Sequence, residues 1–167
     1  ILDIICEGHS MAITRKIKER NREYARLRDT QFSLYENYAR QCGLQSKSLL
    51  ILLWIYRNPQ GISQQTIAAH TYSTKQVVNA AIKSFARKGY LSVTVSETDK
   101  RKKLITLTTD GKAFAASIIE PMDRAEEKAF SRLTERHQDI LLRTTAVFSA
   151  ELSEELNRLS RRKDGSN

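Results

Sequence analysis

Residues 63–88 read SQQTIAAHTYSTKQVVNAAIKSFARK. Ser63 is placed to cap a short helix running through His70, with Ile67 and Ala68 turned inward. Thr71, Tyr72 and Ser73 form a tight connection, and Thr74 caps a second helix that runs to Lys88. Val77, Val78, Ala81, Ile82 and Phe85 lie on one face of that helix at a period of about 3.6 residues. Lys75, Gln76, Asn79, Lys83 and Arg87 occupy the other face, and Gly89 ends the helix. Two short helices joined so tightly make a helix-turn-helix.

The flanks extend this unit. Tyr90–Val95 and Lys103–Thr108 alternate with strand propensity, and residues 96–102 between them form a polar, mostly basic hairpin tip. A hairpin after a helix-turn-helix is a wing. Upstream, Ser46–Arg57 is apolar almost all round, so this helix must be buried on several sides, and Asn58–Gly61 is a turn. Met11–Arg40 reads as one long helix stopped by Gly43, with apolar residues three, four and seven apart. Downstream, Thr108 caps a helix whose first apolar stretch is Ala113–Ile119, with a kink expected at Pro121. A final helix, Thr134–Leu159, carries Ile140, Leu141, Val147, Phe148, Leu152, Leu156 and Leu159. The first and last helices need a partner for their apolar faces, and the simplest one is a second copy of the chain.

The expected fold is therefore mainly α, with a small two- to three-stranded antiparallel wing. It is a winged helix-turn-helix flanked by long dimerisation helices. Residues 11–43 are the N-terminal dimerisation helix, 44–108 the winged unit and 109–160 the C-terminal dimerisation helices. Residues 161–167 are expected to be a disordered tail, and residues 1–10 a tag or leader, with Met11 a candidate start.

Charge narrows the partner. The 167 residues carry 28 Lys and Arg against 19 Asp and Glu, a net +9. From Asn37 to Ser96 there is no acid at all, while seven Lys and Arg fall in the same stretch. Residues 109–160 reverse the sign, with ten acids against seven bases. Clearing carboxylates from one segment removes repulsion against phosphates, which points to nucleic acid; a merely solvated basic face is the plainer reading.

Other chemistry finds little support. Cys6 and Cys42 make neither a disulfide framework nor a zinc cluster. His9, His70 and His137 lie on different elements without carboxylates at ligand spacing, so no metal is expected. No catalytic motif and no Gly-rich phosphate loop occurs, so no enzymatic activity and no cofactor are expected. The longest apolar run, Leu49–Tyr56, is too short to span a bilayer.

The wing residues Asp99, Arg101, Ile105, Leu107, Thr108 and Gly111 fill every fixed position of a pattern that resembles the wing signature of the MarR family of bacterial transcription regulators. Lys88-Gly89-Tyr90-Leu91 resembles that family's exit from the recognition helix. The resemblance extends over roughly Arg26 to Leu159, and it departs at the turn, where the family often has Leu-Gly and this chain has Thr71-Tyr72.

The resemblance implies a cytoplasmic homodimer that binds double-stranded DNA at a pseudo-palindromic operator, more often as a repressor. The recognition helix, Thr74–Arg87, is expected in the major groove, with Ser73, Thr74 and Lys75 at its N-terminal end near phosphate. Gln76 and Asn79 suit an adenine edge, and Lys83 suits phosphate or guanine. Arg101 is implied as the wing arginine entering the minor groove, oriented by Asp99; Lys100, Lys102 and Lys103 add sequence-independent charge. Plainer roles stand beside these: Lys75 and Lys83 solubilising a face, Asn79 facing solvent, Asp99 serving only the turn. Many relatives release DNA on binding small lipophilic, often phenolic, anions. Tyr35, Tyr38, Trp54 and Phe114 are the candidates to line such a pocket, with plain core packing as the alternative. The remaining alternatives are a constitutive or architectural DNA-binding protein without a ligand, and a thiol sensor acting through Cys42, whose pKa Arg40 could lower.

Overall fold

The computed structural model of the chain describes residues 13–95 and 103–164. They form, in order, α1 (Arg15–Gln41), α2 (Ser46–Tyr56), β1 (Ile62–Ser63), α3 (Gln64–Thr71), α4 (Lys75–Arg87), β2 (Leu91–Val95), β3 (Lys103–Leu107), α5 (Thr109–Phe130) and α6 (Glu135–Asp164). Two compact units divide within α5: Ile13–Asp123, and Arg124 onward. The first unit thus holds α1 and the start of α5 together with the winged elements.

Helix starts follow their caps. The Thr14 Oγ1 accepts from the Ile17 N–H at 3.3 Å, so α1 begins four residues later than the apolar pattern alone suggests. Ser63 and Thr74 cap α3 and α4 in the same way, at 3.0 and 3.3 Å. Apolar α2 is enclosed as expected, packing against α1, α3, α4 and β3 with Leu49, Ile51, Leu52 and Ile55 buried. Fully burying one such side chain contributes roughly 1.5–3 kcal/mol. These residues meet Ile67 of α3, Phe85 of α4, Ile105 of β3 and Ile119 of α5 in a single core.

Helix ends repeat one device. At the end of α1 the Gly43 N–H donates to the Arg40 carbonyl and the Leu44 N–H to the Ala39 carbonyl. At the end of α4 the Gly89 N–H reaches Ala86 and the Tyr90 N–H reaches Phe85. Both are Schellman caps with glycine in the left-handed region, at φ +69° and +74°. The end of α3 has the same pair of bonds, from Tyr72 to Ala69 and from Ser73 to Ala68, with tyrosine at φ 47°. An L-residue in that conformation costs roughly 1–2 kcal/mol that glycine does not pay. The turn between α3 and α4 is held further by the Lys47 Nζ donating to the Thr71 carbonyl at 3.0 Å and the Gln64 Nε2 to the Lys75 carbonyl at 3.3 Å.

The sheet is antiparallel with order β1-β3-β2; Ile62 pairs with Ile105 and Leu91 with Leu107. Thr108 ties the wing to the helices. The Thr108 N–H donates to the Tyr90 carbonyl at 3.1 Å, and its hydroxyl donates to the Gly89 carbonyl at 2.7 Å. The same oxygen accepts the Gly111 N–H at 3.0 Å, capping α5. Thr108→Val removes both side-chain bonds and is expected to cost about 2 kcal/mol. The urea midpoint should fall at an unchanged m-value, and Thr108→Ser should recover most of the loss.

Two local expectations need correction. Val77 is 41% exposed and does not join the buried face of α4, which consists of Val78, Ala81, Ile82 and Phe85. α6 does not end at Leu159: it continues through Arg161 to Asp164. Pro121 lies inside α5, with about three turns of the helix before it and about two and a half after it.

Candidate nucleic-acid interface

The exposed face of α4 is set by its buried one. At about 100° per residue, Lys75, Gln76, Asn79, Lys83 and Arg87 fall within about 120° of one another, opposite Val78, Ile82 and Phe85. Lys75, Gln76, Lys83 and Arg87 are exposed, and Asn79 is half-buried. The helix contains no acid, and neither does any residue from Asn37 to Ser96.

The N-terminal end is built differently from its neighbours on the face. Thr74 spends its hydroxyl on the α4 cap, and Ser73 is half-buried with its hydroxyl donating to the Thr71 carbonyl at 3.1 Å. Lys75, in the first turn of α4, is exposed. In the wing, Lys103 opens β3 and is exposed. Asp99, Lys100, Arg101 and Lys102 lie outside the described residues.

The four aromatic candidates for a ligand pocket have different partners. The Tyr38 hydroxyl donates to the Ile118 carbonyl at 2.6 Å. Trp54 stacks on His70, with ring centroids 4.1 Å apart. Phe114 stacks on Tyr90 at 4.4 Å, and Tyr35 is exposed. An open cleft of about 620 Å³ lies elsewhere, lined by Ile55, Tyr56, Pro59, Leu107, Lys112, Ala113 and Ala116. At its edge, burial and then the Glu120 carboxylate, which accepts from the Tyr56 hydroxyl at 3.1 Å, raise the phenol's pKa above its ordinary value. Cys42 is half-buried against the core at the end of α1. Among the described residues no three His, Cys, Asp or Glu side chains gather as a metal site, and no helix is long and apolar enough to cross a membrane.

Residues 43–102 match the MarR family model. The winged unit is similar to the MarR family. Solved structures agree in fold across more of the chain. A MarR family regulator from Neisseria meningitidis superposes with a TM-score of 0.70 at 20% identity, covering 84% of this chain and 97% of that one. MepR of Staphylococcus aureus in complex with DNA gives 0.62 at 23% identity, covering 78% and 97%. A MarR transcriptional regulator from Methanosarcina mazei Go1 gives 0.61 at 20%, covering 81% and 98%. The comparison with curated proteins finds no match.

Proposed function

We propose that this MarR-family chain is a cytoplasmic homodimeric repressor that occupies a pseudo-palindromic operator and excludes polymerase from the promoter. The observation that carries the reading is the acid-free exposed face of α4, with Lys75, Gln76, Asn79 and Lys83 projecting from one side of a well-anchored helix. Two such helices on a two-fold axis read half-sites one helical turn apart, about 34–36 Å. Lys75 and Lys83 meet phosphate; Gln76 and Asn79 read base edges; Arg101 enters the minor groove beside Asp99, Lys100 and Lys102. Release of DNA by a small lipophilic anion is supported by the cleft of about 620 Å³, whose apolar walls carry the single ammonium of Lys112.

The test is a salt titration of binding to duplexes selected from a random pool. Lys75→Ala should weaken every duplex alike and lower the salt slope by about one. Asn79→Ala should leave the slope unchanged and relax preference at one position by about 1–3 kcal/mol. Repeating the titration with a panel of hydrophobic carboxylates reads release. Unchanged affinity and slope in the Lys75 variant would remove α4 from the groove. A chain that binds DNA tightly in the presence of every acid tested would instead be a constitutive binder.

A further inference from the structure

Tyr72 has no structural reason to be tyrosine. It occupies the left-handed position of the cap that ends α3, at φ 47°, where the equivalent caps of α1 and α4 use Gly43 and Gly89. Its side chain is 95% exposed, more than any other large hydrophobic residue of the described chain. The ring therefore gains almost nothing from burial while the backbone bears the strain. A residue that is unfavourable for folding and turned wholly outward serves something outside the fold.

Its position says what. Tyr72 stands three residues ahead of Lys75, on the connection that delivers α4, and every charged residue from Asn37 to Ser96 is a base. The chain around it is hydroxylic or cationic: Ser73, Thr74, Lys75. The residues just before a recognition helix face the rim of the major groove, where phosphate and sugar contacts set register. A phenol suits that rim, since its hydroxyl donates to a phosphate oxygen and its ring covers the deoxyribose. We infer that Tyr72 is an operator-backbone contact, seated at the edge of the groove that α4 enters. This rests on the DNA-binding reading above and adds a residue that the helical pattern of α4 does not contain.

The experiment uses the full-length chain and a duplex that the unaltered chain selects from random sequence. Tyr72→Gly removes ring and strain together. Tyr72→Asn removes the ring while keeping a side chain that tolerates this conformation. Tyr72→Phe removes only the hydroxyl. Tyr72→Gly should raise the melting temperature by about 2–4 °C and weaken duplex binding about tenfold. Tyr72→Asn should weaken binding equally, which excludes turn flexibility as the cause, and Tyr72→Phe should lose about threefold to fivefold. None of the three should change the salt slope, because no charge is removed. Wild-type affinity in both the Gly and Asn variants, with Lys75→Ala still impaired, overturns the inference and leaves the DNA-binding reading standing. Failure of the unaltered chain to hold any duplex at low salt overturns both.

Discussion

Gly111→Val should abolish the cooperative unfolding transition, and Gly111→Ala should cost about 3 kcal/mol or more. A Cβ at Gly111 would lie 1.9 Å from the Tyr90 carbonyl oxygen and 2.8 Å from its carbon. Both atoms are backbone, so no rotamer change relieves the overlap. Tyr90 cannot withdraw either. Its N–H closes the cap of α4 on Phe85, its carbonyl accepts the Thr108 N–H, and its ring is stacked on Phe114. Moving it would break the α4 terminus, the wing junction or the aromatic stack. Gly43→Ala is the control. Gly43 has a positive φ but open space around it, so only the conformational cost of roughly 1–2 kcal/mol applies. Thermal and urea melts followed by circular dichroism separate the two cases. A Gly111→Ala protein that melts within about 2 °C of the parent would show that α5 and Tyr90 are not held together as described.

The same junction explains why the fold was legible. Leu107, Thr108 and Gly111 with Gly89 and Tyr90 are five positions that one constraint ties together. The threonine bonds Gly89 and Tyr90 just ahead of β2 and caps α5 at Gly111, and the glycine admits the tyrosine backbone. A pattern so constrained survives in sequence, and the order of helices and strands follows from it. Ser63, Thr74 and Thr108 disclosed helix starts because a cap is a single-residue event. Breadth of burial was less legible. Val77 sits at the edge of the α4 stripe, and periodicity alone does not decide whether such a residue is covered. The end of α6 was obscured because Arg161, Arg162 and Lys163 resemble a solvated tail by composition, yet suit the last turn of a helix. Tyr72 was hidden for a different reason. Its identity looked like a mere departure at the turn, and its meaning emerged only once the backbone φ of three helix caps could be compared. The candidate DNA contacts of α4 were legible only as residue types on a face, since exposure and sign of charge say where phosphate is welcome and not which base is read.

On the homodimeric, operator-binding reading proposed above, replacing Leu152 and Leu156 together by aspartate should convert the protein to monomers and weaken operator binding by about a hundredfold or more. The reason lies in what the second unit lacks. None of residues 124–161 is buried, yet Ile140, Leu141, Leu142, Leu152, Leu156 and Leu159 all carry large apolar side chains in the open. Leu152 is 39% exposed and Leu156 53% exposed, one helical turn apart on α6. A continuous stripe of this kind is stable in water only against another apolar surface. An identical helix across a two-fold axis supplies one of matching length and pattern. Because neither leucine is buried within the chain, the double change should leave the first unit's melting transition in place. It should instead put charges where the two copies meet. Loss of dimerisation removes the second reading head, and with it the gain of roughly 10²–10⁴ that linking two sites confers. Sedimentation of the variant gives the oligomeric state and anisotropy with the selected duplex gives affinity. A variant that stays dimeric and binds as before would move the interface off α6. A variant that becomes monomeric but still binds with full affinity would show that one winged unit suffices, and the operator would then have no need of two-fold symmetry.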